Sequence, residues 1–157
     1  MMHRFRRFRR LSGFERAIVL EAAAGLLISR LAVRLLGFRV CRAVFEKPLV
    51  ERNSWNSTSD EVDALGMARR IAHLEAVTAA NLFFSTSCLE QSLVLCRVLR
   101  RRGMSADLRI GARKEANRFE AHAWVELHGT VLDGGDTEHL HFVPFEQSES
   151  SMETQTS

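Results

Sequence analysis

The chain has 157 residues, enough for one ordinary domain with an appendage, and 46% of them are hydrophobic, which lies within the globular range. Its three cysteines, Cys41, Cys88 and Cys96, are odd in number and unclustered, which argues against a disulfide framework and fits a reducing, cytoplasmic location. The net charge of +3 hides an asymmetry: residues 1–52 hold 12 Lys/Arg and 4 Asp/Glu, the remainder 10 and 15. The basic half suits an anionic lipid surface or an acidic peptide, or is a solvated arginine-rich face. No nucleic-acid recognition motif accompanies the charge, so nucleic acid is not an expected partner.

The chain opens on MMHRFRRFRRL, basic with interleaved Phe5 and Phe8. A helical pattern follows from about Phe14 to Phe38, with Ile18, Leu26, Ile28, Leu31, Leu35 and Leu36 as its main apolar positions. Its apolar run, Ala22 to Ile28, is too short for a membrane span of about 20 residues. A helix packed on the main domain and an amphipathic helix making peripheral membrane contact are both open readings. The polar stretch Glu51 to Asp60 reads as a loop. Ser59 or Asp60 is expected to cap a second helix over about Glu61 to Ala80, because a short side-chain oxygen accepts from a free backbone N–H.

A third helix opens at Ser85-Thr86-Ser87-Cys88, with Ser87 or Ser85 as its N-cap. Leu89, Leu93, Cys96 and Leu99 recur at helical steps. Arg100, Arg101 and Arg102 complement the helix dipole, and Gly103 stops the helix. The period then changes to two. Ala106, Leu108, Ile110 and Ala112 alternate with polar residues, and so do Phe119, Ala121, Ala123, Val125 and Leu127. His128-Gly129 is expected to turn into a third strand, Thr130 to Leu132, and residues 139–145 into a fourth. Helices followed by an antiparallel sheet make an α+β fold. The tail 147–157 is too poor in apolar side chains to offset its ordering entropy and is expected to be disordered.

The chemistry lies in the second half. A cysteine at a helix N-terminus meets free N–H groups and the positive helix end, which favour a thiolate and a developing oxyanion. Cys88 occupies that place, whereas Cys96 reads as core packing and Cys41 has no catalytic context. His122 stands mid-strand and is a candidate base, which needs a third group to orient it. If His128 and Gly129 are the two turn residues, Leu127 pairs with Thr130 and Trp124 with Asp133. Asp133 is then a diagonal neighbour of His122. Asp136 is the competing acid, because Gly134-Gly135 can fold it back. Trp124 and Glu126 share the His122 face. Trp124 suits substrate binding, shielding of the imidazole or core packing; Glu126 suits an arginine partner or the acid role. Glu90 and Gln91 read as ordinary helix surface. A metal site built from Cys88, His122, His128, His139 and His141 lacks any recognised ligand spacing, so neither metal nor other cofactor is expected.

In combination, CLEQSLVLCRVLRRRG, DLRIGARK, FEAHAWVELHG and VLDGG resemble the leader-cleaving maturation protease of lasso peptide biosynthesis, a family of the transglutaminase-like cysteine enzymes. The resemblance spans about Ser85 to Phe145. Together with the composition, this divides the chain into a basic helical region over 1–50, an expected transglutaminase/papain-like protease core over 51–146 and the tail over 147–157. The resemblance implies Cys88 as nucleophile, His122 as base and then acid, and Asp133 as orienting residue. The implied activity is removal of the leader from a ribosomally made precursor peptide before macrolactam closure. The chain resembles the stand-alone form of the family, which implies a separate leader-recognition protein and an asparagine-synthetase-like cyclase as partners. The alternatives are a non-catalytic peptide-binding module of the same fold and an acyl transferase using the same thioester.

Overall fold

A computed structural model describes residues 11–36, 58–115, 118–132 and 141–144. Cys41, Asp133, Asp136, His139 and the tail 147–157 lie outside the described residues. Three helices precede a small antiparallel sheet: α1 (Gly13–Leu36), α2 (Thr58–Asn81), α3 (Cys88–Arg100), β1 (Ala106–Glu115), β2 (Arg118–Leu127), β3 (Thr130–Val131) and β4 (Val143–Pro144). The order across the sheet is β3-β2-β1-β4.

Helix α1 starts in a capping box. Ser12 Oγ accepts from the Glu15 N–H, and the Glu15 carboxylate accepts from the Ser12 N–H. Arg70 of α2 bonds the same carboxylate and, with the Ser12 N–H, holds its pKa below the usual value. Helix α2 begins at Thr58, so Ser59 and Asp60 fall inside its first turn and are not its cap as expected. The sequence signal misleads here because Thr, Ser and Asp stand in succession, and each has a short side chain suited to the role.

The core forms around α3, which packs on one face of the sheet and on its other sides against α1 and α2. Ile18, Ala22 and Leu26 of α1, Ile71 and Leu74 of α2, and Leu93, Leu95 and Leu99 of α3 are buried with Ala106, Leu108, Val125 and Leu127 of the strands. Gly25 lets α1 approach α3 closely: a Cβ there would stand 3.0 Å from Val94 Cγ1. At the far end of α3 the arginines do more than complement the dipole. Arg101 and Arg102 pair with Glu21 of α1, and Arg100 Nε donates to the Ala106 carbonyl at 2.8 Å. The chain leaves α3 in a Schellman arrangement, with the Gly103 N–H on the Arg100 carbonyl and the Met104 N–H on the Leu99 carbonyl.

The β1–β2 ladder pairs Ala106 with Leu127 and runs to Glu115 with Arg118. Directly paired residues share a face, so Ile110 and Ala123, Leu108 and Val125, and Ala106 and Leu127 point to the helices. His122 and Trp124 point to the other face. The turn between β2 and β3 has positive φ at both His128 and Gly129, as a two-residue hairpin of the primed type requires. It sets Leu127 opposite Thr130, the register expected.

Strand β4 pairs with β1 at Gly111↔Pro144 and Ala112↔Val143. Gly111 has no room for a side chain. A Cβ there would stand 2.9 Å from the Val143 carbonyl oxygen and 3.0 Å from both Phe142 Cβ and the rim of Trp124. Gly111→Ala is therefore expected to lower stability by about 1–3 kcal/mol. Chemical denaturation measures this, and an unchanged midpoint would show that β4 yields freely.

Candidate active site

Cys88 is the first residue of α3, and its position follows from the cap before it. Ser87 is the N-cap, in extended conformation, and its hydroxyl accepts from the Glu90 N–H. The Glu90 carboxylate accepts in return from the Ser87 N–H at 2.8 Å. This reciprocal box satisfies two donors and leaves the Cys88 and Leu89 N–H groups with no intrahelical acceptor. The thiol is half-buried and reduced. Glu90 is buried and structural, not the ordinary surface expected, and the Ser-x-x-Glu spacing was the signal for it. Gln91 Nε2 donates to Thr86 Oγ1 at 2.7 Å and braces the segment that leads into the cap.

Helix α3 crosses the sheet diagonally. Near its start, Ser92 Oγ donates to the Ala123 carbonyl of β2 at 3.0 Å; near its end, Cys96 Sγ and Arg100 Nε both reach the Ala106 carbonyl of β1. Cys96 is thus a buried core residue. The Ala123 carbonyl points the same way as that of Val125, which accepts from the Leu132 N–H on the β3 side. Among the described residues, Ser92 is the donor to the Ala123 acceptor on the β3 side of β2. Cys88 lies one helical turn before Ser92, about 6 Å along the axis, on the same helix face. His122 is the residue next to Ala123. One hydrogen bond thus registers the cysteine helix on the histidine strand.

His122 stands on the face of β2 away from the helical core. Its ring lies nearly parallel to that of Trp124, with centroids 6.1 Å apart, and 5.2 Å from the ring of Phe142. Its Nε2 is buried and has no hydrogen-bond partner among the described residues, so it is not bonded to the Cys88 thiol. Trp124 is 2% exposed, and its Nε1 donates to Glu126 at 2.8 Å. The second Glu126 oxygen accepts from Arg109 Nε at 3.1 Å. The Glu126 carboxylate is thus engaged by an indole and a guanidinium on its own sheet face. Among the described residues, no three His, Cys, Asp or Glu side chains converge as metal ligands. A shallow groove of about 560 Å³ runs from the end of α2 along residues 82–86 to Gln91, with Ala76, Ala79 and Phe83 on its walls and Thr86 close to the cysteine.

A family model of the transglutaminase-like superfamily matches residues 28–147. The chain belongs to the transglutaminase-like superfamily. That superfamily includes cysteine peptidases and acyltransferases. No curated protein and no solved structure gives a significant match to the chain. The match runs from within α1 through the helix of Cys88 and the strands, so the α+β, transglutaminase-like fold expected from the sequence is the fold of this chain.

Two features that sequence reasoning missed can be tested by stability. Ser87→Ala and Glu90→Ala are each expected to cost about 1 kcal/mol, with a double mutant that costs less than their sum. Full additivity in denaturant titrations would refute the reciprocal cap. Ser92→Ala leaves the Ala123 carbonyl without its donor and is expected to cost about 1–3 kcal/mol. A neutral result would show that packing alone registers α3 on β2.

Proposed function

We propose that this transglutaminase-like protein is a cysteine endopeptidase that removes the leader from a ribosomally synthesised lasso precursor peptide before macrolactam closure. The observation that carries the peptidase reading is Cys88 at the capped N-terminus of α3, on a helix that Ser92 ties to the backbone one residue from His122. A thiol at that position has the helix end to favour its anion. The N–H groups of Cys88 and Leu89 are suited to receive the oxyanion of a tetrahedral intermediate.

In the proposed mechanism the thiol approaches the imidazole across the edge of β2 that Ser92 occupies. His122 takes the thiol proton as Cys88 Sγ attacks the scissile carbonyl, then returns it to the leaving amine. Water, activated by the same imidazole, hydrolyses the thioester. Trp124 and Phe142 keep the ring from rotating freely and limit its contact with water. Asp133 is the proposed orienting acid, with Asp136 as its competitor. The groove beside Thr86 and Gln91 suits the polypeptide on one side of the scissile bond. The leader specificity rests on the motif resemblance, as do the separate leader-recognition protein and the asparagine-synthetase-like cyclase proposed as partners.

The test is incubation with a candidate precursor peptide and leader-binding partner, followed by mass spectrometry. Wild type is expected to release the leader. Cys88→Ala is expected to abolish cleavage, and His122→Ala to lower kcat by roughly 10²–10⁴-fold. Comparison of Asp133→Asn with Asp136→Asn identifies the acid by the larger loss. Cleavage that survives in Cys88→Ala would sink the mechanism, and thiol-dependent cleavage of unrelated peptides alone would sink the leader specificity.

A further inference from the structure

Helix α1 is apolar on two opposite sides. One side, with Ile18, Ala22 and Leu26, is fully buried against the other helices. On the other, Leu20, Leu27, Leu31 and Leu35 follow at steps of seven and four residues and are 61%, 45%, 52% and 79% exposed, with Ile28 beside them. At about 100° per residue these five fall in a sector roughly 100° wide that contains no charged residue. Arg16 and Arg34 border it on one side.

Charge decides what this face suits. Both acids of α1 are neutralised within the protein, Glu15 by Arg70 and Glu21 by Arg101 and Arg102. The bordering charge is therefore positive. Arg30 lies over the ring of Phe84, which packs edge-on against the 92% exposed Phe83. The sequence just before α1, residues 1–10, has five arginines, two phenylalanines and no acid. A helix with one long apolar face and a basic border matches the interface of an anionic bilayer, where side chains enter the acyl boundary and arginines meet phosphates. A second copy of the chain would instead bring like charge to like. Among the described residues no helix is long and apolar enough to cross a membrane, so the fitting geometry is a helix lying along the surface.

We infer that the exposed face of α1 seats this protein on an anionic lipid surface. The inference is independent of the peptidase reading. The experiment is cosedimentation of the full chain with vesicles of phosphatidylcholine alone or with roughly one-third phosphatidylglycerol. Binding to the anionic vesicles is expected, weakening in about 0.5 M salt, where the Debye length is only a few ångströms. L27Q/L31Q changes two exposed side chains and keeps every arginine. It is expected to retain the wild-type circular dichroism spectrum and to bind at least about tenfold more weakly, as loss of two buried leucines requires. Wild type left in the supernatant overturns the inference. So does undiminished binding by L27Q/L31Q, which would make the arginines alone responsible. A concentration-dependent dimer abolished by L27Q/L31Q, with no vesicle binding, would assign the face to a second copy and likewise overturn it.

Discussion

A helix buried along most of its length cannot rely on water to satisfy its ends. This constraint governs α3, where Leu93, Val94, Leu95, Cys96, Val98 and Leu99 are all enclosed. The C-terminal carbonyls are met by the Schellman turn and by Arg102, which reaches the Val98 carbonyl. At the N-terminus the Ser87–Glu90 box takes two donors and leaves the Cys88 and Leu89 N–H groups without an intrahelical acceptor. The same requirement that lets α3 be buried therefore leaves a polar, anion-seeking point at one end of an otherwise apolar element.

The sheet divides the labour between its faces. The face of Ala123, Val125 and Leu127 is committed to the helical core. The face of His122, Trp124 and Glu126 is a polar-aromatic layer, with Arg109, Arg113, Glu120 and Phe142 in it. Gly111 is the hinge of that layer, since its missing side chain admits Trp124, Phe142 and β4 at once. Ser92 ties α3 to the β2 backbone from the core side.

Local signals in the sequence were reliable where the structure is local. The 3.6 period around Leu93 and Leu99 and the alternation around Val125 correspond to α3 and β2, and the His128-Gly129 turn set the register of β3. Cys88 at a helix start was legible because the serines before it are caps by chemistry. Glu90 could have been read from its spacing to Ser87. Ser92 could not, because its acceptor lies 31 residues away and nothing near Ser92 announces it. Gly111 was equally silent: its meaning comes from Phe142 and Val143, across the sheet. The acid of the expected triad, Asp133 or Asp136, lies outside the described residues.

The Ser92–Ala123 bond also divides the candidate centre by the range of its contacts. The cap, the helix and the cysteine all lie between Ser87 and Arg100, so their contacts are local in sequence. The acceptor strand follows only after a further stretch of chain, and it pairs with β1. The two halves of the candidate centre thus differ in kind: the cysteine is placed by contacts local in sequence, whereas its register on the histidine strand depends on a contact 31 residues away.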